Sequence, residues 1–142
     1  MTDSSTPAEK NESEQAGRLQ DVKVLIVDDD VDVAQSFDAA FQSEGALTQV
    51  VHDGNEAVRI CMDDPPDVVI LDMMLPKRSG FLALEKIKGD EDSPVVIMVT
   101  ANEGKRHSAY AESLGVDAYL QKPVPLNKLL ETTISLLDAE EE

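Results

Sequence analysis

Four short stretches hold the side chains best suited to chemistry: Asp28-Asp29-Asp30, Asp72, Thr100-Ala101 and Lys122-Pro123. Carboxylates gathered in one place repel one another unless a cation sits among them. Oxygen ligands of this kind suit Mg²⁺, which keeps several waters and takes one or two carboxylates together with a phosphate. Such a metal lowers the charge barrier to a phosphoryl donor approaching an anion, and a carboxylate can then be the nucleophile, giving an aspartyl phosphate. A lysine opposite the metal adds a second positive contact to the phosphoryl oxygens. A hydroxyl nearby can hydrogen-bond the group once it arrives. Each stretch alone has a plainer reading: Asp30 precedes a helix and suits its N-cap, and a lone Thr100 is only a strand-end hydroxyl. Their joint meaning depends on their meeting at one place in the fold.

The elements between them bring them together. Val22–Val27 is a short apolar, β-branched run, read as a buried strand. Val33–Glu44 is a helix with Ala34, Phe37 and Phe41 on one face, closed by Gly45. Leu47–Val51 is a second strand, and Asn55–Met62 a short helix stopped by Asp63-Asp64-Pro65-Pro66. Val68–Leu71 is a third strand; Gly80–Lys88 is a helix with Phe81, Leu84 and Ile87 inward; Val95–Val99 is a fourth strand. Glu103–Leu114 is a weakly apolar helix, with His107, Tyr110, Ala111 and Leu114 as its inward stripe. Ala118–Leu120 is a fifth strand, and Pro125 opens a last helix with the stripe Leu126, Leu129, Leu130, Ile134 and Leu137. Five β-α units with uniformly apolar strands predict an α/β fold, a doubly wound parallel sheet with helices on both faces. Function in such sheets collects beyond the carboxyl ends of the strands, where all four stretches fall.

Composition narrows the function classes. The chain has 142 residues, 42% hydrophobic, enough for one packed domain. It carries 29 acidic against 12 basic residues, a net charge of −17, which argues against nucleic-acid binding. Residues 1–21 hold five acids and two bases, and residues 138–142 four acids, leaving −10 on the body. That surplus fits plain solubility, a basic partner or a salt-rich host. No apolar run approaches the roughly 20 residues of a membrane span. Met1 to Gln20 lacks the cationic start and apolar stretch of a signal peptide. Its polar composition reads as a disordered tail, so the expected organisation is a tail over 1–21, a domain over 22–138 and an acidic tail over 139–142. One cysteine, Cys61, excludes an internal disulfide and fits a reducing cytoplasm; its place near a helix end makes it core-lining. His52 and His107 lack the Cys or His neighbours of a zinc site and read as non-catalytic. The methionines fill gaps.

The stretches VLIVDDD (24–30), VVILDMMLPKRSG (68–80), VIMVTAN (96–102) and DAYLQKP (117–123) together resemble the receiver domain of two-component response regulators. The resemblance covers about 22–138 and implies a flavodoxin-like (βα)5 sheet of strand order 2-1-3-4-5. It implies that Asp72 is the phosphoacceptor, that Asp29 ligates Mg²⁺ directly and Asp28 mainly through water, and that Met74 offers the metal its backbone carbonyl. Thr100 then matches the switch hydroxyl, Ala101 the small residue that leaves the phosphoryl group accessible, and Lys122 the phosphate-binding lysine. The Lys122-Pro123 peptide matches the family's cis bond, Tyr119 the aromatic switch, and Gly80 the turn back into the next helix. Met74 and Asn102 flank the phosphoryl site where the family tunes phosphate lifetime.

The implied function is a phosphoacceptor rather than an enzyme with a separate substrate. A histidine kinase or histidine phosphotransfer protein is its donor, an unidentified output protein its target, and dimerisation on phosphorylation is possible. Thr100 moving toward the phosphate and Tyr119 turning inward would shift the surface over 100–121. A stand-alone cytoplasmic regulator is the first expectation, and a receiver fragment of a longer regulator with a DNA-binding or enzymatic output is the second. A haloacid-dehalogenase-type phosphohydrolase also uses a strand-end Asp with Mg²⁺, but needs an acid two residues on, where this chain has Met74. A flavin or nucleotide module needs a glycine-rich first turn, where this chain has Asp28-Asp29-Asp30.

Overall fold

In the computed structural model, residues 17–89, 92–101 and 105–141 are described. The apolar runs form five parallel strands: β1 (Lys23–Val27), β2 (Leu47–Val51), β3 (Val68–Leu71), β4 (Val95–Thr100) and β5 (Ala118–Gln121). Their order is β2-β1-β3-β4-β5. The helices between and after them are α1 (Val31–Ser43), α2 (Gly54–Asp63), α3 (Gly80–Ile87), α4 (Lys105–Ser113) and α5 (Leu126–Glu141). The expected (βα)5 architecture and order are therefore present.

Strand alternation splits the core in two. Leu25, Val27, Val69, Leu71, Val96 and Met98 face α2, α3 and α4, against Ala57, Cys61, Ala83, Leu84, Ile87 and Ala111. Val24, Ile26, Val68, Ile70, Val95, Ile97 and Val99 face α1 and α5, against Phe37, Phe41, Leu129 and Leu130. Both faces are covered, so Val24–Val27 of β1, all of β3 and Val95–Val99 of β4 are apolar. β2 has a neighbour on one side only and is more open, with Leu47 and Gln49 exposed, Thr48 and Val50 half-buried and Val51 alone buried.

Local chemistry sets the helix ends. The Asp30 side chain accepts from the Asp32 and Val33 amides, so α1 starts at Val31, two residues before the expected point. Gly45 follows it with φ +89, a left-handed turn that glycine enters without penalty. Asp53 caps α2 and Ser79 caps α3.

Several expectations are corrected. The tail over 1–21 is packed at its end: Leu19 is 1% exposed, its amide donates to the Glu44 carbonyl at 3.0 Å, and Arg18 pairs with Glu44 at 3.2 Å and Glu131 at 2.8 Å. Residues 1–16 lie outside the described residues. The acidic tail over 139–142 is helical through Glu141. Leu126, 40% exposed, leaves the inward stripe; the fully buried Thr133 takes a place in it, its hydroxyl donating to the Leu129 carbonyl. Tyr110 is half exposed, edge-on to the half-buried Phe81 on α3, because α4 turns only Ala111 fully into the core. None of the helices among the described residues is long and apolar enough to cross a membrane.

Candidate functional site

The sheet register carries the chemistry one step past the last paired residues. The Asp28 amide donates to the Val51 carbonyl at 3.2 Å, and the Asp72 amide to the Val27 carbonyl at 3.0 Å. These bonds fix both backbones at adjacent strand ends. Leu71 pairs with Met98, so Asp72 lies one position beyond that pair and Thr100 two beyond it. The Lys122 amide donates to the Thr100 carbonyl at 2.9 Å, drawing the end of β5 to the end of β4. The Lys122-Pro123 peptide is cis.

Asp28 and Asp72 are buried and Asp29 is exposed, and one carboxylate oxygen from each lies within 4.8 Å of the others. Lys122 Nζ donates to Asp28 Oδ2 at 2.8 Å and sits 3.5 Å from Asp72 Oδ2. The remaining oxygens are only partly engaged: Asp28 Oδ1 accepts from the Asp30 amide at 2.9 Å, and Asp72 Oδ1 from the Met74 amide at 3.4 Å. Burial, and then the charge of Asp28, push the Asp72 carboxyl up to about 6, against the opposing pull of Lys122 and the Met74 amide. Burial lowers the Lys122 ammonium, but the hydrogen bond to Asp28 and the charges of Asp72 and Asp28 outweigh it, so its pKa is raised. Three carboxylates facing one ammonium leave surplus negative charge in a partly dry cleft. Separations within 4.8 Å fit a hydrated divalent cation that takes some carboxylates directly and others through water.

Gly80 allows a close approach to the Asp72 backbone. Gly80 donates to the Met73 carbonyl at 2.8 Å, and a Cβ there would overlap the Asp72 carbonyl and come 2.6 Å from Met73 Cα. The Met74 side chain is 65% exposed, which leaves its backbone as the part near the site. Thr100 is fully buried at the end of β4. Tyr119 is half-buried against the core face of Leu71 and Met98, and burial raises its phenol pKa. Ala101 is exposed, whereas Asn102 and Glu103 lie outside the described residues.

The sequence reading passed over the turn joining β2 to α2. His52, read as non-catalytic, places Nδ1 2.9 Å from the Asp28 carbonyl oxygen, and Gly54 abuts Arg78 of the loop that follows Asp72. The available signal was an Asp-Gly pair one residue past a strand, which marks a tight turn at the functional edge.

The family model described as "Response regulator receiver domain" matches residues 24–134. The response regulator MprA of Mycobacterium tuberculosis (strain ATCC 25177 / H37Ra) is 32% identical over 116 residues, covering 82% of this chain and 50% of that protein. The chain thus spans about half the length of the curated relatives it matches. A CheY-like response regulator receiver domain protein from Methanospirillum hungatei JF-1 superposes with a TM-score of 0.82 at 29% identity, over 86% of this chain and 98% of that one. The receiver domain of sensor histidine kinase PA1611 from Pseudomonas aeruginosa PAO1, solved with a magnesium ion coordinated in its active site cleft, gives 0.72 at 26% identity, over 78% and 93%. Fold, strand-end cluster and family match agree: this chain belongs to the response regulator receiver domains of two-component systems.

Proposed function

We propose that Asp72 accepts a phosphoryl group from a phosphohistidine donor, with Mg²⁺ held by Asp28, Asp29, Asp72 and the backbone carbonyl of Met74. The observation that carries this reading is the bridge of Lys122 Nζ between Asp28 and Asp72, with Asp29 in reach of both carboxylates. The PA1611 receiver, described with magnesium in its cleft, supports the choice of metal. Mg²⁺, when bound, offsets the charge that builds on the phosphoryl oxygens during transfer.

A carboxylate oxygen of Asp72 attacks phosphorus. The donor's P–N bond breaks, and the imidazole leaves with the electron pair and takes a proton from solvent. Lys122, which bridges Asp28 and Asp72, supplies a positive contact to the transferred oxygens. Water later attacks phosphorus, the P–O bond to Asp72 breaks, and inorganic phosphate leaves with the carboxylate restored. Thr100 reads the new oxygens, and Tyr119 follows it inward. The surface over 100–121 then changes its affinity for an output protein as a biased two-state equilibrium. The donor is a histidine kinase or histidine phosphotransfer protein in the cytoplasm, and pairing of two copies accompanies phosphorylation. The acidic surface gives the domain no role in binding nucleic acid.

A stand-alone regulator is the primary form of this reading. The half-length match to MprA favours a second form, the receiver of a longer regulator with an output domain. The length of the open reading frame distinguishes them.

The test is incubation with Mg²⁺ and acetyl phosphate followed by intact mass, with Asp72→Asn alongside. One added phosphoryl group that requires both Mg²⁺ and Asp72 is the expected result. No adduct, together with no stable beryllofluoride complex, overturns the reading.

A further inference from the structure

The β2–α2 turn touches both loops of the proposed metal site. On one side, His52 Nδ1 lies 2.9 Å from the carbonyl oxygen of Asp28. A carbonyl can only accept, so Nδ1 carries the hydrogen. On the other side, the Gly54 amide donates to the Pro76 carbonyl at 3.4 Å, and Lys77 Nζ reaches Asp53 Oδ2 at 3.8 Å. A Cβ at Gly54 would overlap the Arg78 carbonyl oxygen and come 2.8 Å from Arg78 Cβ and 2.9 Å from its carbonyl carbon. These are mostly backbone atoms, which a rotamer change cannot relieve, so any side chain at position 54 must displace residue 78.

Residue 78 belongs to a tightly fixed loop. Gly80 is pressed against the backbone of Asp72 and Met73 at one end of it. The Arg78 amide donates to the Pro76 carbonyl at 2.7 Å, and Lys77 has φ +69, a conformation unfavourable for a side chain of its kind. Within this loop the Met74 amide donates to Asp72 Oδ1. Displacing the loop at residue 78 therefore moves Met74 relative to Asp72.

We propose that the turn His52-Asp53-Gly54 is a bracket that sets the spacing between the Asp28 loop and the Asp72–Gly80 loop, with Gly54 and His52 as positioning residues for divalent-cation binding. The inference rests on the Mg²⁺ reading of the carboxylate cluster. Groups that orient metal ligands from behind typically change affinity by ten- to a hundredfold when removed.

The experiment is Mg²⁺ titration by calorimetry on Gly54→Ala, His52→Ala and Cys61→Ala, with amide exchange of each protein without metal. Cys61 sits on the same helix but faces the core, so its variant reports general loss of stability. Gly54→Ala is expected to weaken Mg²⁺ binding about tenfold. His52→Ala, an exposed position that loses one hydrogen bond, is expected to weaken it by about threefold to fivefold. Cys61→Ala should leave it unchanged. Without metal, amides over 74–79 should exchange faster in Gly54→Ala while those of α1 stay as they are. If Gly54→Ala does not fold, His52→Ala decides. Unchanged affinity in the folded variants, or an equal loss in Cys61→Ala, overturns the bracket. Wild-type protein that binds no Mg²⁺ overturns the functional reading instead, and the metal-free exchange then decides the bracket by itself.

Discussion

Asp72 is held in a state it would not adopt in water, and this has a consequence that needs no phosphate. Its carboxyl stands at about 6 against an ordinary 3.8, first because of burial and then because of Asp28. The folded protein therefore keeps a proton that the unfolded chain has already released between those two values. Stability falls as pH rises through that window, and the whole cost is present above it. Two pH units correspond to roughly 3 kcal/mol as an upper figure. Asp72→Asn removes the charge, so at pH 7.5 in EDTA the variant should be more stable than wild type by about 1–3 kcal/mol in urea unfolding. The gap should close below pH 4, and Mg²⁺ should narrow it at neutral pH by stabilising only the wild type. Equal urea midpoints for the two proteins at pH 7.5 in EDTA would contradict this account. Asp72 was legible in the sequence because an acid after an apolar strand has few other uses. His52 was not, because its contact is to a carbonyl brought near only by the pairing of β1 with β2.

Strands and helices were legible where the apolar pattern is dense. β3 is apolar throughout, β1 is apolar after Lys23 and β4 before Thr100, and α1 shows Ala34, Phe37 and Phe41 on one face. The pattern failed where a single apolar residue does the anchoring. Leu19 stands among Arg18, Gln20 and Asp21, so no period marks it, yet it is 1% exposed beneath α1 and α5. The Leu19 and Asp21 amides donate to the Glu44 and Gly45 carbonyls, both at 3.0 Å, which fastens the segment to the end of α1. Leu126 and Tyr110 show the opposite failure: helical spacing put them inward, but only neighbouring elements decide how far a stripe extends. Burying a leucine in a close-packed site and then truncating it leaves a cavity as well as losing transfer energy, together about 2–4 kcal/mol. Leu19→Ala should therefore lower the urea midpoint without changing the slope, and a chain beginning at Val22 should lose at least as much. The exposed Arg18 pairs contribute far less, since solvent screens them and holding two long side chains in one geometry costs entropy. An Arg18→Ala loss as large as that of Leu19→Ala would reverse this ranking.

Across the whole molecule, 12 basic residues cannot neutralise 29 acidic ones. Some of the bases are also committed: Lys122 lies in the strand-end cluster, and Lys88 bridges Asp117 at 2.8 Å and the Pro94 carbonyl at 2.9 Å. Most acids among the described residues lie on the folded surface, where like charges are closer than in the unfolded chain, so folding works against their mutual repulsion. Screening acts on that repulsion over about 10 Å at 0.1 M salt and about 3 Å at 1 M. Exposed attractive pairs such as Lys23–Asp64 at 3.2 Å are weakened by the same salt, but at a net charge of −17 the relief of repulsion is the larger effect. The thermal midpoint should thus rise steadily between 0.05 and 1 M NaCl. Local binding of a cation at the strand-end carboxylates would also raise it, so the measurement belongs on Asp72→Asn in EDTA, where that cluster has lost its central charge. Choline chloride should match NaCl if screening is the cause, because a bulky cation screens without fitting a carboxylate site. A midpoint that falls with salt would mean that surface ion pairs outweigh the net charge. A protein that folds only in molar salt would favour a salt-rich host as the origin of its acidity over simple solubility.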